Sequence, residues 1–470
     1  MPWTTSFPVL PRIVSTRRFQ VKQKVSDSSE KSTTNGPTLL EDAYISANGP
    51  GLAPGIENRM PRATRRSERS RGTCFKSFAG DVLPCLFPAI QVCARKTRMR
   101  YTDTVRVFAT ADIGEAAFDR LRERGYEVEV YPNTEAPPKS LIIEKVRSGV
   151  DALITTLRDP IDEEVLSAGA RTLRVVAQIA VGVDNIDREA ANRCRIPFAN
   201  TADVLTEATA EFAFFMMGAV SRKLYSSEKL VEEHRWESWH PQHPFLGDEV
   251  TGKTVAVIGT GRIGKAFAKK CIGFDMNLLL YDAVAADEKF AEQAAREMEL
   301  RHECGFSNKR HFAEYVSFEA ALDRADYVSL HVPLLMPGES DTPTYHLMNE
   351  AAFRRMKRTA FLINTSRGPV VDEQALYQAL INNEIAGAAL DVYEKEPLPP
   401  DSPLRDLRLR DRVRLFHHFA SGTRETRLSP DPEVGMAGRT VQAVLDVIEG
   451  RYQGDPARMP YVVNKEAWRE

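Results

Sequence analysis

Between Val255 and Gly264 the chain reads VAVIGTGRIG, a β-branched run that breaks into glycines at 259, 261 and 264 ahead of a helix-patterned stretch, AFAKKCIGF. A strand that turns this tightly into a helix belongs to a βαβ unit, so the next strand of the sheet runs parallel to it. Gly259 permits the turn, Gly261 lets backbone approach a pyrophosphate with no Cβ in the way, and Gly264 lets the helix sit close on its sheet. The helix N-terminus at Arg262 and Ile263 offers free N–H groups and a positive dipole end to phosphate. A second apolar run, LLLY, ends 18 residues after Gly264 at Asp282. A carboxylate there accepts a ribose 2′-hydroxyl and repels a 2′-phosphate, which points to NAD rather than NADP.

The alternation of short apolar runs with amphipathic stretches extends in both directions. From Val105 it reads VRVF, GEAAFDRLRERG, VEVY, a helix near Leu141 to Ser148, ALIT, a helix around Glu163 to Ala168, and VVAQI. A second series starts at Thr254 and continues through YVSLHVPL, AFLINTSRGP, GAALDV and VRLF. Two such series predict two α/β domains with doubly wound parallel sheets and a cleft between them. Between them TEATAEFAFFMMGAVSR, Thr206 to Arg222, is apolar almost all round and is expected to be buried in the core or against another subunit. The last helix pattern, 438–450, follows the second sheet and is expected to fold back on the first domain, so that the chain crosses the cleft twice. Residues 285–313 look like a charged, helix-prone insert and 335–343 like a turn-rich excursion, both expected on the surface.

The chain has 470 residues, too many for one ordinary core. Its net charge of −2 hides an asymmetry: residues 1–100 hold 17 Lys and Arg against 7 Asp and Glu, and the remainder 46 against 58. The acidic body argues against nucleic acid as a partner. Six cysteines at 74, 85, 93, 194, 271 and 304 form no C-x-x-C pair, so neither a zinc site nor a disulfide framework is expected, and a reducing, cytoplasmic compartment is the simplest reading. No stretch reaches the roughly 20 apolar residues of a membrane helix.

Residues 1–103 lack sustained periodicity and are rich in Ser, Thr, Pro, Gly and Arg, so a disordered basic extension is expected. Arg12, Arg17, Arg18, Lys22 and Lys24 precede the first acid, Asp27, a composition compatible with a mitochondrial transit peptide; a plain tail, or a true start at Met99, are the alternatives.

Three polar residues stand at the ends of successive strands of the second series: Arg367 after AFLINTS, Glu396 after GAALDVYEK and His418 after VRLF. Each type has a task in reducing a 2-oxo acid. Arginine holds a carboxylate bidentately. Histidine gives a proton to the carbonyl oxygen. A glutamate on the far ring nitrogen fixes the tautomer and raises the histidine pKa. Singly, each has a structural reading: a surface ion pair, a solvated turn acid, a satisfied polar residue. Their joint placement after a cofactor turn lifts the functional reading, and on chemistry alone His417 competes with His418. The loop AVGVDN, 180–185, offers backbone N–H groups at Val181 and Gly182 to a carboxylate.

NTSRGPVVDEQAL, ALDVYEKEP, HHFASGT, LHVPL, VGVDNID, NTADVLTEATAE and GKTVAVIGTGRIG together resemble the D-isomer-specific 2-hydroxyacid dehydrogenases, especially their glyoxylate and hydroxypyruvate reductase branch, over about residues 105–465. The resemblance implies a Rossmann NAD-binding domain at 206–422 and a flavodoxin-like substrate domain at 104–205 completed by 423–470. It implies that Arg367 orients the substrate, that His418 is the acid/base with Glu396 as its partner, and that Val181 and Gly182 meet the substrate carboxylate. It places Val332, Pro333, Thr365, Ser366 and Asp391 around NAD, with Asp391 near the nicotinamide amide, and it selects His418 over His417, which stands where the family usually has proline. A homodimer through cofactor-domain surfaces is implied, and so is a second functional reading, an NAD-sensing binding module of the co-repressor kind on the same fold. The departures are the insert at 285–313 beside the adenosine end and LSPDPEV, 428–434, whose prolines interrupt a helix pattern beside the site.

Overall fold

The computed structural model describes residues 104–242 and 246–468. The basic extension with its transit-peptide composition, Met99, Cys74, Cys85 and Cys93 lies outside the described residues. The first series folds as β1 (Arg106–Ala109), α1 (Glu115–Arg122), β2 (Glu127–Val130), α2 (Lys139–Arg147), β3 (Ala152–Thr155), α3 (Glu163–Gly169), β4 (Val175–Gln178), α4 (Arg188–Cys194) and β5 (Phe198–Ala199). These strands form one parallel sheet in the order β2-β1-β3-β4-β5.

The chain then makes α5 (Thr206–Ser221), α6 (Leu224–Glu232), β6 (Thr254–Ile258), α7 (Arg262–Gly273), β7 (Asn277–Tyr281), α8 (Glu288–Glu303), β8 (Ala313–Tyr315), α9 (Phe318–Arg324), β9 (Tyr327–Leu330), α10 (Glu350–Arg355), β10 (Phe361–Asn364), α11 (Glu373–Ile381), β11 (Gly387–Leu390) and β12 (Val413–Leu415). The second sheet is also parallel, in the order β12-β11-β10-β9-β6-β7-β8. Strand order reverses at β1/β3 in one sheet and at β6/β9 in the other, the crevices where ligands of open parallel sheets bind.

Helices cover both faces of each sheet, which is why β3, β4, β9, β10 and β11 are buried at every position and read as continuous apolar runs rather than alternating ones. Edge strand β2, EVEV, keeps its glutamates outward. Side-chain caps set helix starts: Asp162, Asp187, Asp287, Ser317, Asn349 and Asp372 each accept the N–H three residues on.

The two crossings between sheets appear as packing. Ala210, Ala213, Phe214, Met216 and Met217 of α5 are buried with Val255, Val257 and Phe267 of the second sheet's layer, although Phe215 is 59% exposed. After α12 (Arg424–Leu428) the prolines at 430 and 432 hold a turn, and α13 (Met436–Ile448) starts beyond them. Val441, Val444 and Leu445 of α13 pack against Val107, Ile154, Val175 and Ala177 of the first sheet. The tail follows: Val462 bridges Ala199, and Asn464 accepts the N–H of Phe198 at 3.0 Å.

One expectation needs correction. The segment 285–313 is helical and largely exposed as expected, but it is not a mere excursion: α8 is the crossover helix from β7 to β8, and its Phe290, Ala291, Ala294 and Met298 are buried in the second core. Its charged outer face, with one apolar stripe inward, masked that role. Strands β5 and β8, of 2 and 3 residues, were too short to register as periodicity. Among the described residues no helix is long and apolar enough to cross a membrane.

Leu445→Ala should lower stability by about 2–5 kcal/mol in urea unfolding, because the side chain is fully buried between α13 and the first sheet. A loss below about 0.5 kcal/mol would mean that α13 does not anchor the return crossing.

Candidate active site

The loop after β6 is shaped by close approach. Gly259 has φ 93°, and a Cβ there would stand 2.6 Å from the carbonyl oxygen of His331, while a Cβ on Gly264 would overlap the Gly259 carbonyl. Beside Gly261, by contrast, nothing lies within 4 Å of a Cβ position, and no side chain caps α7. The residues thus fit a dinucleotide: the side of Gly261 is open and the first N–H groups of α7 have no side-chain cap. Ile263 packs on the core, whereas the Arg262 guanidinium turns to Asp203 at 2.7 Å. Asp282 directly follows β7 and its carboxylate is held back to the turn, Oδ2 accepting the Thr260 N–H at 2.9 Å.

Val332 and Pro333 follow β9 beside this turn, Val332 packing near Gly259 and the Pro333 carbonyl accepting the Thr344 hydroxyl at 2.6 Å. Thr365 and Ser366 follow β10. The Ser366 N–H and hydroxyl both donate to Asn364 Oδ1, at 3.0 and 2.8 Å, while Thr365 Oγ1 is buried with no protein partner. A buried orphan hydroxyl at the carboxyl end of the sheet is a second point of fit for a polar ligand.

Arg367 closes the gap between the two sheets. Its Nε donates to Asp184 of the loop after β4 at 2.7 Å, and its Nη1 to the Ser366 carbonyl at 2.8 Å. Gly182 faces the guanidinium so closely that a Cβ would collide with Nη2. The 181–185 loop is itself fixed: Gln178 donates to the Gly182 carbonyl at 2.6 Å, Asn200 to the Val181 carbonyl at 2.8 Å, and Asn185 to the Asp159 carbonyl at 2.7 Å.

Histidine and glutamate meet at the ends of β12 and β11. His418 Nδ1 lies 2.8 Å from Glu396 Oε2, both side chains 29% exposed. His417, by contrast, is exposed and stacks on Phe419 with ring centroids 4.9 Å apart. Burial pushes the Glu396 carboxyl up, but the His418 hydrogen bond and charge, the Tyr393 N–H and the Arg367 guanidinium outweigh it and hold it below its ordinary value. Glu396 therefore stays ionised beside the imidazole. A third histidine at a strand end, His331, is driven by burial down to about 3 and is neutral, with Nε2 2.9 Å from the Ser329 hydroxyl.

His418 has φ 55°, a left-handed backbone rarely adopted by a non-glycine residue. Asp391 holds it: the fully buried carboxylate accepts the N–H groups of Phe419 and Ala420 at 2.7 and 2.8 Å, and the Asp391 carbonyl accepts the His418 N–H at 2.8 Å. Arg427 adds a bond to the His418 carbonyl at 3.2 Å. Burial, only partly offset by those two N–H groups, raises the Asp391 pKa. Its carboxylate thus serves the loop carrying His418.

Several of these residues went unread in the sequence. Asn364 bonds the Arg367 carbonyl at 2.9 Å and shapes the NTSRG loop, and Gly368 is required because any side chain there would overlap the backbone of Tyr393. Asp184, Gln178 and Asn185 sat in or near the quoted VGVDNID run, where an Asp-Asn pair at a strand end was the available signal.

A sequence model of the D-isomer specific 2-hydroxyacid dehydrogenase NAD binding domain matches residues 214–420. A glyoxylate reductase of Korarchaeum cryptofilum is 44% identical over 323 residues, 68% of this chain and 88% of that protein. The crystal structure of the TT0316 protein of Thermus thermophilus is 36% identical with a TM-score of 0.63, covering 76% of this chain and all of that one. A D-lactate dehydrogenase of Aquifex aeolicus, solved with NAD and lactic acid, is 25% identical with a TM-score of 0.58, over 74% and 97% of the two chains.

The lowered Glu396 pKa has a sign. Stability from its ionised form is complete above the ordinary value of 4.5 and is lost as pH falls through the folded-state value. Glu396→Gln should therefore be less stable than the parent in urea unfolding at neutral pH, and the gap should close well below 4.5. A gap of constant size across that range would show that His418 does not favour the glutamate's charge.

Proposed function

The chain belongs to the D-isomer-specific 2-hydroxyacid dehydrogenases, NAD-dependent enzymes acting on small 2-oxo and 2-hydroxy acids, and on that premise we propose that it reduces glyoxylate, hydroxypyruvate or a closely similar 2-oxo acid to the D-2-hydroxy acid. The observation that carries this reading is the 2.8 Å contact between His418 Nδ1 and Glu396 Oε2, beside an arginine that spans the two sheets.

When bound, NADH supplies the hydride taken up by the carbonyl carbon. Arg367 binds the substrate carboxylate with the N–H groups of Val181 and Gly182, which orients the carbonyl. With Nδ1 committed to Glu396, His418 delivers its Nε2 proton to the carbonyl oxygen, and the ionised glutamate stabilises the imidazolium before transfer. In the reverse direction the neutral ring takes the proton back. Gly259, Gly261 and the uncapped start of α7 at Arg262, Ile263 and Gly264 would hold the pyrophosphate, Asp282 the adenosine ribose, and Val332, Pro333, Thr365, Ser366 and Asp391 would line the remainder of the NAD site. Asp282 favours NADH over NADPH by repelling a 2′-phosphate.

We assign residues 104–205 and 423–470 to the substrate domain and 206–422 to the NAD domain, a division supported by the separate cores that α5 and α13 join. The exposed aromatic residues Phe215, Trp236 and Trp239 suit burial against a second copy, and a homodimer follows. Light scattering should give twice the chain mass for the full protein and a lower mass for Phe215→Glu; a parent monomer would remove the dimer from the proposal.

The function is tested by NADH oxidation with a panel of 2-oxo acids. Turnover should be highest with two- and three-carbon acids, and His418→Gln should cut it about 10²- to 10⁴-fold while NADH still binds. No turnover on any member of the panel, or a fully active His418→Gln, would defeat the assignment.

A further inference from the structure

Behind Asp282 stands a residue that no cofactor assignment includes. Thr260, the 5%-exposed residue between Gly259 and Gly261, is tied to Asp282 twice: its N–H and its hydroxyl both reach Oδ2, at 2.9 and 3.1 Å. The Thr260 hydroxyl in turn accepts the phenol O–H of Tyr315 at 2.9 Å. Tyr315 is the last residue of β8, in register with Leu280 of β7, the strand that Asp282 directly follows. The far oxygen of the carboxylate, Oδ1, accepts the Val284 N–H at 3.1 Å.

A carboxylate has about four lone-pair sites. Three of those on Asp282 are committed to Thr260 and Val284, which fixes the plane of the group and leaves its remaining acceptor capacity for a ligand hydroxyl. Tyr315 ends the chain of donors. With its own proton given to Thr260 Oγ1, it directs the threonine proton onto Asp282, and linked hydrogen bonds of this kind strengthen one another. We propose that Tyr315, acting through Thr260, is a positioning residue that sets the Asp282 carboxylate for the adenosine ribose and so sharpens discrimination between NADH and NADPH. The inference rests on the ribose assignment of Asp282 and extends it: the strand delivered by the crossover through α8 contributes to cofactor choice without touching the cofactor.

The test is equilibrium titration of the full chain with NADH and with NADPH, followed by protein fluorescence or calorimetry. Tyr315→Phe should weaken NADH more than NADPH and narrow the ratio of the two dissociation constants about 2- to 10-fold, the range of one hydrogen bond. Thr260→Ser, which keeps the hydroxyl, should hold the parental ratio, and Thr260→Val should narrow it as Tyr315→Phe does. Added to Asp282→Asn, the Tyr315 change should have no further effect on the ratio. An unaltered ratio in Tyr315→Phe, or equal weakening of both cofactors, overturns the relay while leaving Asp282 in place if Asp282→Asn still collapses discrimination. An unaltered ratio in Asp282→Asn overturns the ribose assignment and the relay with it. Should Thr260→Val fail to fold, Tyr315→Phe and Thr260→Ser decide alone.

Discussion

Parallel strands covered by helices on both faces leave a polar side chain only one outlet, the end of the strand. Asn364, Asp391 and Ser366 obey this constraint: each is buried at the carboxyl edge of the second sheet and each is spent on shaping a loop. The residues to which we assign the chemistry come later in sequence, at Arg367, Glu396 and His418, in the loops so shaped. Loop-shaping residues and the residues of the proposed site are thus arranged in series along the strand ends.

The loop at His418 shows the cost of that arrangement and how it is met. A histidine with left-handed backbone is unfavourable by itself, and such conformations persist where surrounding bonds over-determine them. Here two backbone N–H groups on Asp391 and a guanidinium on the histidine carbonyl do so. Removing the Asp391 carboxylate would release the loop that carries His418. Glu396 is different in kind, because its bond runs to the imidazole itself.

Two contacts join sheets that the chain connects only twice. Arg367 reaches Asp184, and Arg262 of the glycine turn reaches Asp203 just before α5. Both guanidiniums leave the NAD-binding sheet and end on carboxylates of the first series or its exit. An exposed ion pair contributes little to stability, so the work of these pairs is geometric. They bring loops from two independently cored sheets into register, and the narrow fit of Gly182 against Arg367 marks how little room remains between them.

The glycine spacing, the apolar runs and the order of strand-end residues were legible in the sequence, because a parallel sheet prints its period and its turns locally. So were Arg367, Glu396 and His418 as candidates, since each follows a strand. The tertiary structure alone decided that Nδ1 of His418, rather than any atom of His417, meets Glu396, because which of two adjacent histidines turns inward depends on a left-handed φ set by Asp391, 27 residues earlier. It alone turned the supposed insert at 285–313 into a crossover helix, since whether a short apolar stripe finds a core depends on what the rest of the chain has left uncovered. And it alone brought Tyr315 to Thr260, a hydrogen bond across 55 residues for which local pattern carries no signal.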